Sequence, residues 1–387
     1  MNRARANQIA VMKRTGWTLR TGGSLVLFLL AALLSAGAEP VILPPLWTED
    51  QRIQQLTSLP VTGGEQLEVG YYLLARTNVR PLLQSKEAEQ PFAGEQGYYH
   101  FASLSEIRLR LPRWQVSYAF GIADRFEGDQ GAVQLYQGGV NLTQLPTIDT
   151  PVHALLNRSA VNRWTVGYLV PLRDRRGESW LLIAGSLYLS RRIQQGTLDG
   201  RWRSAQFDGN LLLDTTRGLN PADTRSTGWG LHLAASAPLS DRWRIGFWGE
   251  NLLGHIRQRK IQRITARVQA NAIVPDADGF LHAAPLLSGR IDEVSETLSL
   301  RTRYTFGLAH QQARRTWLLF ASHEDGWRFA LGGAVARGWL LWHLPDGEVH
   351  ASWNVGRWQI LIGLADLNPW RTKHATLSLR WSAPLGR

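Results

Sequence analysis

Arginines spaced two apart are the most repeated chemical feature of this 387-residue chain. Arg108 and Arg110, Arg201 and Arg203, Arg242 and Arg244, and Arg301 and Arg303 form such pairs. In a strand, side chains alternate between faces with a period of two, so each pair puts two guanidiniums on one face. The neighbours on the opposite face are mostly apolar, which gives these segments one basic side and one oily side. A wet passage lined by such rows attracts anions and repels cations. The rows can also be neutralised from within, because Glu106, Asp208 and Glu250 stand in the same stretches.

Covalent chemistry finds less support. Ser322-His323-Glu324-Asp325 gathers a nucleophile, a base and acids. Adjacent residues of a strand point to opposite faces, however, and the run has the composition of a hairpin turn, so it does not assemble a triad. The chain has no Gly-x-Ser-x-Gly elbow, and Ser186 and Ser236 lie in ordinary strand sequence. Asp276, Asp278, His282, Asp292 and Glu293 fall in one stretch, 275–293, with Glu296 just beyond it. Their spacing is not that of a twelve-residue calcium loop, and a solvated acidic loop is expected. The ten histidines are scattered without metal-helix spacing. His343 and His350 flank the Pro345-Asp346-Gly347 turn and can meet across a hairpin, which reads as a chance surface pair. No catalytic residue, metal ligand or cofactor is assigned.

The elements that position the arginines announce themselves through a second recurrence, Arg-Trp after a turn residue. It occurs at Arg113-Trp114, Arg163-Trp164, Arg201-Trp202, Arg242-Trp243 and Arg357-Trp358, with variants at Gly326-Trp327 and Gly338-Trp339. In Asp241-Arg242-Trp243-Arg244-Ile245-Gly246-Phe247-Trp248, residues Trp243, Ile245 and Phe247 share one face. Strands with an oily outside, a polar inside and aromatic residues near their ends describe a transmembrane barrel with interfacial girdles. The girdle is expected to include Trp114, Trp164, Trp202, Trp243, Trp327, Trp339, Trp358 and Trp381. The eight paired arginines then face the lumen, because charge on the lipid side costs about 2–4 kcal/mol at mid-bilayer. A soluble sandwich with the tryptophans in its core is the competing architecture.

Composition agrees with a barrel. Hydrophobic residues make up 44% of the chain and mean hydropathy is mildly negative, as expected where half of each strand faces water. Residues 1–38 read as a secretory signal: Lys13, Arg14 and Arg20 precede the apolar run 25–34, and Ala36-Gly37-Ala38 offers a small-x-small cleavage site. Met12 would begin a shorter version of the same signal. Five basic groups and no acids leave with it, so the net charge falls from +12 to about +7. For an exported chain that charge points to lipopolysaccharide phosphates, anionic solutes or acidic polysaccharide rather than nucleic acid. The absence of Cys excludes disulfides and thiolate metal sites.

Residues 39–64 do not alternate, and Thr48 with Glu49 and Asp50 forms a helix-start signal. This segment is expected to be a periplasmic strap, a small plug or a flexible leader. The barrel occupies 65–387. Alternating segments number seventeen, including 131–142, 201–213, 242–253 and 260–274. An even number places both chain ends on one side. If Arg-Trp marks the periplasmic entry of upward strands, one strand between about 254 and 345 is false. About 16 strands are therefore expected, with 14 as the alternative. Loops 78–96 and 275–293 are the candidates for a constriction.

The last segment, Ala375-Thr376-Leu377-Ser378-Leu379-Arg380-Trp381, alternates and ends in an aromatic residue. It resembles the C-terminal strand signal by which bacterial outer-membrane β-barrels meet their insertion machinery. Six residues, Ser382 to Arg387, follow it, whereas the signal usually ends the chain. The resemblance, over about 65–382, is to outer-membrane barrels as a class. It implies partners in outer-membrane lipid, lipopolysaccharide and that machinery. The expected function is a passive channel or export pore with an Arg-lined, anion-preferring lumen. The alternatives are a non-conducting scaffold or receptor for an envelope assembly and, with less support, a lipid-acting barrel hydrolase.

Overall fold

A computed structural model describes residues 40–57, 65–79, 94–133, 149–174, 177–203, 206–216, 226–275, 281–324, 326–335, 337–366, 368 and 371–385. Residues 1–39, with the expected signal segment, residues 58–64 and most of loop 78–96 lie outside the described residues. One helix, α1 (Glu49–Thr57), precedes sixteen strands. These are β1 (Gln66–Thr77), β2 (Gln96–Arg110), β3 (Trp114–Asp129), β4 (Thr150–Asp174), β5 (Gly177–Arg203), β6 (Gln206–Thr215), β7 (Ser226–Pro238) and β8 (Trp243–Pro275). The remainder are β9 (Leu281–Ser299), β10 (Arg303–Gln312), β11 (Arg315–His323), β12 (Trp327–Val335), β13 (Gly338–Leu344), β14 (Val349–Val355), β15 (Trp358–Leu364) and β16 (His374–Pro384).

Every pairing among these strands is antiparallel, and β16 pairs with β1 from Gln66↔Pro384 to Arg76↔His374, which closes the sheet. Sixteen strands make fourteen staves. The first half of β8 pairs with β7 and β10, while its second half pairs with β6 and β9. Both β6 and β7 run antiparallel to β5, so they are two parts of one descending stave, as are β9 and β10. Within the ring each described stave is paired on both sides, which is what a hydrocarbon surrounding demands of a sheet, and the edge of β9 left open lies in the extension beyond it.

The surplus of expected strands has three sources. Residues 242–253 and 260–274 are one strand, β8, and the segment 201–213 folds over itself as the end of β5 and the start of β6. Residues 131–133 of the segment 131–142 are helical, and its remainder lies outside the described residues. The Arg-Trp phrase is not a consistent entry marker. It opens β3, β8 and β15 at the rim of short turns, but Arg163-Trp164 is in mid-β4 and Arg201-Trp202 ends β5 at the opposite rim. The stretch 275–293, expected as a loop, is from Leu281 onward part of β9.

Inside and outside follow from the period of two. In β16, Thr376, Ser378 and Arg380 are buried inward while Leu377 and Leu379 face out. In β8, Trp243 and Ile245 are exposed, and Trp248 and Glu250 are buried. Exposed Val69, Ile107, Val166, Ile183, Leu187, Phe306, Leu319, Leu331 and Ile362 give the ring an apolar exterior that only lipid satisfies. Strands β10, β11 and β12, of nine or ten residues, have the length with which a tilted strand crosses a bilayer. The architecture is that of the outer-membrane β-barrel class.

Trp114, Trp243 and Trp358 are exposed near the short-turn rim, and Trp164 is exposed one stave away from Trp114. Trp114 packs on Tyr168, and Trp164 on Tyr118, with ring centroids 4.7 and 4.6 Å apart. Trp381 is half-buried beside Trp358, and Trp327 is exposed at the opposite rim. The side chain of Trp202 lies outside the described residues. Trp339 is a correction: it is buried in the lumen, and its neighbours Leu340 and Trp342 face outward instead. A parity shift of one residue moves a whole strand's side chains to the other face, and a Trp one position after a strand's start looks the same in sequence whichever face it takes.

Candidate functional site

The lumen is occupied. Pro40 to Thr57 runs inside the ring, and Val41, Ile42, Leu43, Leu46, Trp47, Ile53 and Leu56 are buried there. Prolines at 40, 44 and 45 keep the first part extended, since the ring fixes φ and disfavours helix in the preceding residue. Val41 forms a parallel bridge with Leu300 at the break between β9 and β10. From Glu49 the chain turns helical, and Thr48 caps it. The Thr48 N–H donates to Gln51 Oε1 at 3.0 Å, half of a capping box, and the Arg52 N–H reaches the Thr48 carbonyl. Leu46, Trp47, Ile53 and Leu56 pack on inward-facing Trp180, Leu182, Trp248, Phe320, Trp339 and Leu341. Full burial of such a side chain is worth about 1.5–3 kcal/mol.

An extended backbone buried in a barrel has to find partners for its peptide groups. Every carbonyl from residue 40 to residue 47 accepts a hydrogen bond. Asn157 Nδ2 donates to Pro40 O at 3.1 Å, the Arg301 N–H to Val41 O at 3.2 Å, and the Ser159 hydroxyl to Ile42 O. Arg303 Nη2 reaches Leu43 O at 2.6 Å, while Arg163 Nη1 and Nη2 reach Pro44 O and Pro45 O at 3.1 and 3.2 Å. Arg108 Nη2 donates to Leu46 O at 3.3 Å, and Arg52 to Trp47 O. Glu250 accepts from the N–H groups of Leu46 and Trp47 at 2.8 and 3.2 Å. Gln55 Oε1 accepts from the Trp248 indole N–H at 2.6 Å, and the Thr48 hydroxyl from Arg380 Nη2 at 2.6 Å.

Two cavities flank α1. One, of about 160 Å³, lies toward the long-connection rim and is lined by Glu49, Arg52, Arg76, His100, Arg303, Glu324, His343 and His350. The other, of about 820 Å³, lies toward the short-turn rim beneath Ile53, Gln54 and Thr57, with Arg314, Asn354, Arg357 and Arg380 around it. In the first, Arg303 bridges Glu324 at 2.6 Å and Glu250 at 3.6 Å, and Arg76 bridges Glu348 at 2.9 Å. Burial alone would raise the Glu324 carboxyl, but the Arg303 guanidinium holds it down to about 2. Burial likewise works against Glu49, and His343 and His350 hold its carboxyl well below the ordinary carboxylate range.

The eight arginines expected to line one passage are dispersed. Arg108 is buried against Glu106 at 2.8 Å, and Arg110 lies 3.1 Å from Glu68. Arg303 is neutralised as described, and Arg244 is half-buried with Nη1 3.2 Å from the Ser236 hydroxyl. Arg301 is half-buried at the break after β9. Arg242 is exposed in the turn before β8. Arg201 and Arg203 stand in the part of β5 that pairs with β6, exposed, 3.0 and 3.5 Å from Asp149. No common ring of charge results. Asp208, expected as an internal partner, pairs with Arg267 at 2.8 Å in that same region.

The catalytic candidates resolve similarly. Glu324 is tied to Arg303, and the His323 ring packs against Trp327. Asp325 and residues 276–280 lie outside the described residues, while Asp292 pairs with Arg290 and Glu293 with Lys260. Buried Ser186 sits 2.8 Å from His232 Nε2, which has the look of a nucleophile and its base. His232 Nδ1, however, accepts the Asn251 N–H at 3.0 Å, so Nε2 carries the proton and donates it to the serine. That tautomer has no lone pair for the Ser186 proton.

Reading the chain as a sequence missed Arg163, Arg380, Arg52 and Glu49. Arg163 and Arg380 were visible as single charges on the polar face of alternating strands. Nothing in their spacing said that they meet a segment more than a hundred residues away. The only signal for Glu49 was its place in the first turn of a capped helix.

No family model matches the chain, and no curated protein matches it in sequence. Among solved structures it is similar to the P. putida toluene transporter TodX, with a TM-score of 0.45, 11% identity, 90% of this chain covered and 96% of that one. The translocator domain of the autotransporter NalP from Neisseria meningitidis gives a TM-score of 0.30 at 8% identity, over 86% and 93% of the two chains. The Ralstonia pickettii toluene transporter TbuX gives 0.27 at 9% identity, over 89% and 95%. These scores are low, and the barrel architecture rests on this chain's own strand pairing.

Proposed function

We propose that the protein is a bacterial outer-membrane channel held shut by residues 40–57, which have to shift before a solute crosses. The observation that carries this reading is the division of the lumen: α1 and its strap stand between a cavity on each side. A scaffold has no use for cavities on both sides of a segment that is held by its own caps and side-chain clamps. The inward arginines act here as donors to the strap's carbonyls, so no standing anion preference belongs to the shut state. When the strap leaves, Arg108 keeps Glu106 and Arg303 keeps Glu250 and Glu324, whereas Arg163 and Arg380 lose their strap acceptors. Anion preference then belongs to the opened state, carried by those two.

Planar-bilayer recording of the mature chain and of a variant lacking residues 40–57 tests this. The intact chain is expected to be silent or to flicker, and the shortened one to give steady, mildly anion-selective steps. Arg163→Glu with Arg380→Glu in the shortened chain should reverse the selectivity. A shortened chain that remains heat-modifiable but silent would overturn the channel reading in favour of a scaffold or receptor.

A further inference from the structure

The floor of the cavity toward the long-connection rim holds a group that the channel reading does not use. Strands β13 and β14 form a hairpin, and Leu341 opposes His350 in its register. Leu341 and His350 both point inward, and His343, two residues on from Leu341, shares that face. The two imidazoles therefore meet inside the ring, with centroids 4.2 Å apart. Glu49, in the first turn of α1, reaches between them. Its Oε1 is 3.0 Å from His343 Nε2, and its Oε2 contacts His350 Nδ1. On the far side of His350, Nε2 is 2.8 Å from Glu348 Oε1. One ligand atom each from Glu49, His343 and His350 lies within 4.8 Å of the others.

We infer that Glu49, His343 and His350 bind one divalent first-row transition-metal ion, with Glu348 beside them. Two imidazole nitrogens and a carboxylate oxygen are the donor set of zinc, nickel and copper sites. The charges agree: with neutral imidazoles, Glu49 and Glu348 carry two negative charges and Arg76, 2.9 Å from Glu348, offsets one. A second observation points the same way. His343 Nε2 is a buried nitrogen that makes no hydrogen bond of acceptable geometry, although Glu49 Oε1 stands 3.0 Å away. A buried polar atom without a hydrogen bond is uncommon, and an ion between these groups accounts for it.

The neighbouring group Asp346, Glu348 and His374 has comparable spacing and is a poorer candidate. Arg76 and the Thr376 hydroxyl already occupy the two oxygens of Glu348, and His374 Nε2 is engaged by the Tyr98 hydroxyl at 2.9 Å. A cation there would displace a guanidinium. At the first group it displaces protons alone. The donors also come from two bodies, one from α1 and two from the wall, so a bound ion ties the helix to β13 and β14. The site stands whether or not the barrel conducts.

Isothermal titration of the untagged mature chain in detergent micelles with zinc chloride tests the inference, and the lack of Cys removes thiols as competitors. The expected result is saturation at one ion per chain. His343→Ala and Glu49→Gln should each weaken binding by about 100-fold, at or above what even an outer-shell partner costs. Heat-modifiability verifies that each variant remains a barrel. Copper electron paramagnetic resonance on the unaltered chain supplies the second readout, with splitting from two imidazole nitrogens expected. Binding that does not saturate, binding indifferent to both substitutions, or a copper spectrum without two nitrogens would each overturn the assignment.

Discussion

Single side chains hold the strap more tightly than their number suggests. Glu250 accepts two strap N–H groups, so Glu250→Ala strands both donors, while Arg303 keeps Glu324 and the Leu43 carbonyl. Each buried donor left unsatisfied costs about 1–3 kcal/mol, and guanidinium unfolding should show a loss of that order. Gly246 is constrained from the other direction. A Cβ there would sit 2.4 Å from Trp248 Cη2 and 3.1 Å from Leu56 Cδ1, so Gly246→Val has to push the indole or α1 aside. A loss of about 1–3 kcal/mol is expected, with faster protease cleavage of residues 40–57 as the local readout. The Arg303–Glu324 bridge predicts a pH window. The Glu324 carboxyl titrates at about 2 in the folded chain against an ordinary 4.5, so its stabilisation is complete above the ordinary value and disappears as pH falls through the folded one. The difference in melting temperature between the native chain and Glu324→Gln should be constant near neutrality and shrink between about pH 4.5 and 2. At this scale the residue types were legible and their partners were not. Glu106 beside Arg108 could be proposed from a spacing of two, whereas Arg163 meeting Pro44 and Pro45 depends on a closed ring.

Elements were legible in proportion to how far their own sequence decides them. The capped helix after Thr48 is present because the capping residue, the acids behind it and Gln51 are all local. The short strands on the β11–β16 side follow alternation and turn residues closely. Errors arose where a strand outruns the bilayer. β8 has 33 residues and extends roughly 110 Å along its path, so its sequence reads as two strands with a turn between them. Alternation does not record whether a segment faces lipid or stands in water beyond it. In that far region the sheet relies on ion pairs instead, with Arg263 on Asp214 and Glu296 at 2.6 and 2.7 Å and Arg267 on Asp208. Ring pairing of β8 with β7 and β10 ends by Arg257. Replacing residues 262–293 with a short turn should therefore leave a heat-modifiable barrel, although β6 then keeps only β5 as a partner. A variant that no longer migrates as a folded barrel would mean that the extension is needed to set the ring's register.

At the scale of the whole molecule, the expectation of a closed barrel with both ends on one side depended on parity and an oily exterior, and both are properties of the chain as a string. That the lumen is filled is not such a property. Residues 39–64 were distinguished by their lack of alternation, which suits a strap, a plug or a leader equally, and only closure decides where they go. The closing seam has a further consequence, and it concerns the order of events during assembly. The strap precedes the first strand in the chain, and the seam joins the first strand to the last. A segment bonded to Asn157, Arg163, Glu250 and Arg303 has partners on several staves before β16 arrives. β16 then delivers Arg380 onto the Thr48 hydroxyl as it pairs with β1, so the final stave both seals the wall and latches what it encloses. A barrel built this way is shut from the moment it is complete, and the membrane never meets it as an open hole.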